Sequence, residues 1–154
     1  MEQRAENGSD APGTVKLLWV QIGEKRYALE VGRVNRVTSV PQLTPVPHAT
    51  EAIVGIGRES GDVVVYLDGG VLANAGTIDA ETAVLLERTA DQTPVGLLAT
   101  ETDGMESVSV GRIVPAAEVG LDTAVFAAGV TGDDRTVPLF GPDRLVSIAD
   151  QRRG

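Results

Sequence analysis

The chain reads as an all-β protein. Short apolar runs rich in Val, Leu, Ile and Tyr recur from Val15 onward, and several alternate apolar with polar residues. Clusters of Gly, Pro and Asp separate them, the spacing expected of a β-barrel or sandwich. No apolar run approaches the roughly 18 residues that a membrane helix needs.

Residues 1–13 are polar, with Ala as the small apolar exception after Met1. They read as a disordered tail with no apolar segment of the signal-peptide kind. Val15–Ile22 is the first strand, and Gly23-Glu24-Lys25 turns the chain into Arg26–Val31. Tyr27, Leu29 and Val31 fall on one face of that second strand, so the two form a hairpin. Val31, Val34 and Val37 recur at every third position, which suits a helical turn or bend before a third strand. Pro41, Pro45 and Pro47 then interrupt regular structure, because proline removes a ladder donor. Ile53–Gly57 and Val63–Leu67 read as a hairpin around Glu59-Ser60-Gly61-Asp62. Val71, Leu72 and Ala75 fit a short helix stopped by Gly76.

A second strand set begins near Ala83. Ala83–Arg88 pairs with Val95–Glu101, and Thr102-Asp103-Gly104 reads as a turn before Ser107–Ile113. Thr123–Thr131 and Thr136–Phe140 flank a hairpin turn at Gly132-Asp133-Asp134. Pro142 opens a short C-terminal helix. The two sets share a rhythm but no sequence repeat. The ordered domain spans 14–150, with 73–80 as the candidate internal boundary, and 151–154 form a tail.

Charge narrows the function. Against 13 basic residues stand 22 acidic ones, for a net charge of −9. Such a chain repels nucleic acid, whose binding relies on Lys and Arg meeting phosphates, and it avoids anionic membrane surfaces. Lys16 and Lys25 are its sole lysines. An acidic, lysine-poor surface suits a cytosol of very high salt, where self-repulsion is screened, so raising salt is expected to stabilise the fold. With no cysteine there is neither disulfide nor thiolate ligand.

Catalytic material is thin. His48 is the single histidine and lies in a proline-rich loop, so a zinc site or a Ser-His-Asp triad has little to build on. Gly55-Ile56-Gly57-Arg58-Glu59-Ser60-Gly61 looks superficially like a phosphate loop, but a strand follows where the chemistry needs a helix N-terminus. Leu67-Asp68-Gly69-Gly70 invites comparison with an aspartic-hydrolase loop, which would need a dimer to supply the second carboxylate. The simpler reading makes Asp68 the N-cap of the short helix after it. Asp133-Asp134 lack the spacing of a calcium loop. No cofactor or metal is expected.

These exclusions leave a binding module, and the residues resemble one family. Leu17–Leu29 resembles the opening hairpin of the CheW-like domain, followed by its apolar pattern at Val31, Val34 and Val37 and its apolar-proline loop at Val46-Pro47. Ala52–Ile56, Gly61 and Val63–Asp68 resemble its central hairpin. Thr93–Ala99, Ile113-Val114-Pro115 and Thr136–Phe140 resemble elements of its second half. The likeness runs from Val15 to Ala149. It implies two small SH3-like five-stranded β-barrels with short helices, and a non-catalytic chemotaxis adaptor in the cytoplasm. Such an adaptor couples methyl-accepting chemoreceptors to the histidine kinase CheA and is recruited to membrane receptor arrays without inserting into the bilayer. By the same likeness a receptor groove would use Val31, Val34, Arg36, Gly55, Ile56 and Ser60. Arg58 and Ser60 stand where the family usually has asparagine and arginine. Arg36 replaces a common acid, and Thr100 a usual aspartate. A CheW-like module serving another partner is the alternative.

Overall fold

The structure, a computed structural model, describes residues 13–88 and 91–151. The tails read at 1–13 and 151–154 fall almost wholly outside them. The elements run β1 (Thr14–Ile22), β2 (Lys25–Glu30), a 3-10 turn (Val31–Arg33), β3 (Val34–Ser39), β4 (Ile53–Glu59), β5 (Asp62–Asp68) and α1 (Gly69–Leu72). They continue with β6 (Thr82–Leu86), β7 (Val95–Ala99), β8 (Glu101–Ser109), a 3-10 turn (Val110–Arg112) and β9 (Ile113–Pro115). After a further 3-10 turn (Ala116–Val119) come β10 (Phe126–Thr131), β11 (Thr136–Phe140) and α2 (Pro142–Asp150).

The strands form two sheets. One has six strands in the order β8-β1-β2-β11-β10-β9, the other five in the order β3-β6-β7-β5-β4. Strands from the start of the chain therefore sit with those from its end, and β6 and β7 enter the sheet begun by β3. Neither set of strand pairings closes on itself among the described residues, so the expected barrels are open sheets, one with an extra strand.

Both faces of the central strands are covered, which explains their continuous apolar runs. On β1, Leu18, Val20 and Ile22 face a large core shared by the two sheets, while Leu17 and Trp19 face a smaller outer cluster with Ala28, Val108 and Val130. On β5, Val65 and Leu67 join the shared core. Val64 and Tyr66 join the other outer cluster, with Ala83, Leu85 and Leu98. α2 adds Leu145, Val146 and Ala149 to the shared core, and Tyr27, Phe126 and Phe140 form its aromatic centre, with ring centroids 4.9–6.0 Å apart. Burying one such side chain contributes about 1.5–3 kcal/mol.

Tyr66 shows how glycine shapes the outer cluster. It pairs with Gly96 on the neighbouring strand, and a Cβ at Gly96 would come within 2.7 Å of the Tyr66 ring. A Cβ at Gly57 would lie 3.2 Å from the ring's other edge. The ring fills space that side chains at both positions would occupy.

Two readings need correction. Thr102-Asp103-Gly104 is no turn between strands but part of β8. Between the pairs Leu18–Met105 and Val20–Thr102, β8 carries one residue more than β1, and Gly104 has φ +89°. This is a bulge with its glycine in the left-handed region, and bulge and turn draw on the same residues. A repeat also exists: Val-Gly-Arg occurs at 31–33 and at 110–112, each time as a 3-10 turn followed by a strand. Three residues are too few to stand out from sequence alone. Around them the order strand, strand, turn, strand, hairpin, helix runs twice, from β1 to α1 and, with a further 3-10 turn before the hairpin, from β7 to α2.

Candidate functional site

The hairpin of β4 and β5 turns on Ser60 and Gly61, both at positive φ (53° and 87°), the geometry of a tight two-residue turn. The turn carries Glu59 and Ser60 back over the sheet toward β3, at the opposite edge. There Arg36 meets them: its Nη1 donates to Ser60 Oγ at 3.2 Å, and its Nη2 lies 2.8 Å from Glu59 Oε2. Arg88, just beyond β6, donates to Asp62 Oδ2 at 3.2 Å across the same gap. The sheet is thus fastened by side chains where its ladder stays open.

Beneath these pairs lies a groove of about 440 Å³. Val64, Leu85, Pro94 and Val95 line it, and Arg36, Glu59, Ser60 and Asp62 stand at its polar rim. Tyr66 lies in the adjoining cluster. Burial raises its phenol pKa above the usual value and Glu59 raises it further, while Arg36 opposes both. Its hydroxyl is buried without a hydrogen-bond partner among the described residues. Such a group costs about 1–3 kcal/mol.

The six candidate groove residues separate into groups. Arg36 and Ser60 come together at the rim. Val31, Val34 and Ile56 are half-buried and pack against the shared core. Gly55 lies under the proline-rich loop: Thr44 and Ile56 exchange backbone hydrogen bonds of 2.8 Å, and a Cβ on Gly55 would approach the Thr44 carbonyl oxygen to 2.6 Å. Ile56 and Arg58 line a separate cleft of about 500 Å³ against Pro41, Gln42 and Thr44. Glu59, Asp62 and Arg88 were not anticipated in the sequence. Their signal is the run of charge flanking an apolar strand, which ordinary solvated turns share.

Other residues have structural work. Asp68 Oδ1 accepts from Gly70 N at 2.8 Å and Val71 N at 3.3 Å, capping α1 as expected. Thr100 Oγ1 accepts from Gly23 N at 3.0 Å and so anchors the turn between β1 and β2. Among the described residues no group of His, Cys, Asp and Glu has a metal-binding arrangement. No helix there is long and apolar enough to cross a membrane.

Two interleaved sheets, one carrying a rimmed groove, define a β-rich class of fold. The family model of the CheW-like domain matches residues 16–150, and the chain belongs to that family. Among solved structures it is similar to the scaffolding protein TtCheW from Thermoanaerobacter tengcongensis. The TM-score is 0.72 at 20% identity, over 82% of this chain and 88% of that one. No curated protein matches it.

Proposed function

We propose that the chain is a non-catalytic chemotaxis adaptor that couples methyl-accepting chemoreceptors to the histidine kinase CheA in the cytoplasm. The observation that carries this reading is membership of the CheW-like family across almost the whole described chain. The groove between β3 and the β4–β5 hairpin is its receptor-facing site, with Arg36 and Ser60 at the contact and Val31, Val34, Gly55 and Ile56 holding the shape behind them. Two SH3-like barrels are the reading of the fold that goes with it, each curled sheet being one incomplete barrel.

A second reading keeps the module and changes the partner. Arg36 reverses the family's usual charge and is drawn to Glu59 on the same chain, which alters what the rim offers to a receptor. An aspartic hydrolase built on Asp68 is the remote third. Both oxygen lone-pair contacts that cap α1 use the carboxylate such chemistry would need.

The test is affinity capture from the host's lysate in high salt, with co-purifying proteins identified by mass spectrometry. Recovery of CheA together with chemoreceptors supports the coupling role, and enrichment of another partner with neither moves the function to the repurposed module. Arg36→Glu sets two acids side by side and is expected to weaken receptor capture about tenfold while leaving the fold intact, Arg36 being exposed. Unchanged capture would place Arg36 off the interface.

A further inference from the structure

Side chains, and no strand pairing, close the seam between β3 and the tip of the β4–β5 hairpin. Arg36 holds Glu59 and Ser60, and Arg88 holds Asp62. No register pair joins β3 to β4 or β5 among the described residues. The side chains of Arg36 and Asp62 are 48% and 56% exposed, so each pair stands partly in solvent, where ion pairs are weak and salt screens them. What the seam covers is unfavourable as it stands. Tyr66 is wholly buried, and its hydroxyl has no hydrogen-bond partner among the described residues. The ring leans toward the hairpin turn: Tyr66 pairs with Gly55, yet a Cβ on Gly57, two residues nearer the turn, would lie 3.2 Å from its Cε2. Glu59 and Arg36 are the charges that act on its phenol, the first raising its pKa beyond what burial does and the second lowering it. Ser60, between the two pairs, holds φ at +53°, a conformation unfavourable for a residue with a Cβ.

We propose that the two ion pairs form a salt-sensitive latch, whose release swings the β4–β5 tip away from β3 and lets water reach the Tyr66 hydroxyl. The latched state gains two partly exposed ion pairs and the Arg36–Ser60 hydrogen bond. The released state gains hydration of the phenol and of the latch charges, and it relaxes Ser60. Both sides of that balance are small, so the two states lie close in free energy. Salt weakens the pairs while leaving the hydration of a neutral phenol almost unchanged, so ionic strength tips the balance toward release. In the high-salt cytosol that the acidic, lysine-poor composition suits, the released state gains weight. A partner acid that took the place of Glu59 at Arg36 would shift the equilibrium the same way. The latch is a property of the chain alone and holds whichever partner the groove receives.

The probe is tetranitromethane, which nitrates accessible tyrosine, applied to the full chain at mildly alkaline pH with products resolved by peptide mass spectrometry. Tyr27, buried in the shared core, is the internal control for global unfolding. Raising sodium chloride from about 0.05 M to about 2 M should speed Tyr66 nitration about fivefold while Tyr27 reacts no faster. Glu59→Gln with Asp62→Asn replaces both acids by neutral groups of nearly the same shape. It should give the fast Tyr66 rate already at low salt and abolish the salt dependence. Tyr66→Phe keeps the ring and deletes the unpartnered hydroxyl, so it should raise the unfolding midpoint and slow amide exchange at Ser60, Gly61 and Asp62. Parallel nitration of the two tyrosines at every salt would mean that Tyr66 is reached only by global unfolding, and would overturn the latch. So would a Tyr66 rate that neither salt nor the double variant changes. A Tyr66→Phe chain less stable than the parent would do the same, since the hydroxyl would then have a partner in the closed seam.

Discussion

The run from β1 to α1 and the run from β7 to α2 carry a similar succession of elements, yet they settle differently. Val31-Gly32-Arg33 and Val110-Gly111-Arg112 form the same 3-10 turn. Val31 packs on the shared core, whereas Val110 is 52% exposed. Arg33 reaches Asp143 at the start of α2 at 2.8 Å, whereas Arg112 donates to the Thr131 carbonyl of its own hairpin at 2.6 Å. The strand after the first turn has six residues and borders the groove, while the strand after the second has three. Four-residue α1 depends on a side-chain cap, and nine-residue α2 starts on proline without one. Local sequence set the turn in both halves, and tertiary surroundings decided what each turn does.

The largest effect should separate the two helices. Leu145 on α2 is fully buried, so Leu145→Ala is expected to cost about 3–5 kcal/mol in urea unfolding, against about 2 for Leu72→Ala on α1. A smaller ratio would mean that α1 anchors the core as firmly as α2. The valines come next: Val31→Ala should cost about 1 kcal/mol and Val110→Ala almost nothing, read from the same unfolding midpoints. Equal losses would mean that Val110 is covered in solution. At α1, Asp68→Ala should also cost about 1 kcal/mol, while Asp68→Asn, which keeps an accepting oxygen, stays within about 0.5 of the parent. The smallest effect concerns Asp143, whose hydrogen bond and charge pairing with Arg33 hold its pKa below the usual carboxylate value. Its contribution is complete above the ordinary carboxylate range and is lost as pH falls through the lowered folded value. The pair is largely exposed, so Asp143→Asn should flatten the acid limb of the stability profile by at most about 0.5 kcal/mol.

Local chemistry was readable and sheet membership was not. The hairpin at Ser60-Gly61, the cap at Asp68 and the helix opening at Pro142 each rest on residues adjacent in sequence, and each was anticipated. Val95–Glu101 read as one strand because all but its end is apolar, but the chain leaves one sheet at Ala99 and enters the other at Glu101, with Thr100 between. Alternation reports that a face is buried, not which partner buries it. The site divided along the same line. Arg36 and Ser60 stood out because a polar residue had no evident packing reason there, and the structure joins them. Glu59 is nearly as well placed, but a glutamate beside a turn has an ordinary explanation in solvent. Val31, Val34 and Ile56 gave no sign of whether they served a groove or a core.

The exchange of strands between the sheets bears on how the protein comes apart. Cutting near 73–80 would strand β1 and β2 without β8 and β11, and would leave β3 and β5 with no strand between them, since β6 and β7 fill that place. Neither fragment retains a whole sheet. The chain should therefore melt in a single cooperative transition. A nascent chain must wait for its last strands before its first can settle, a topology of distant contacts that folds slowly.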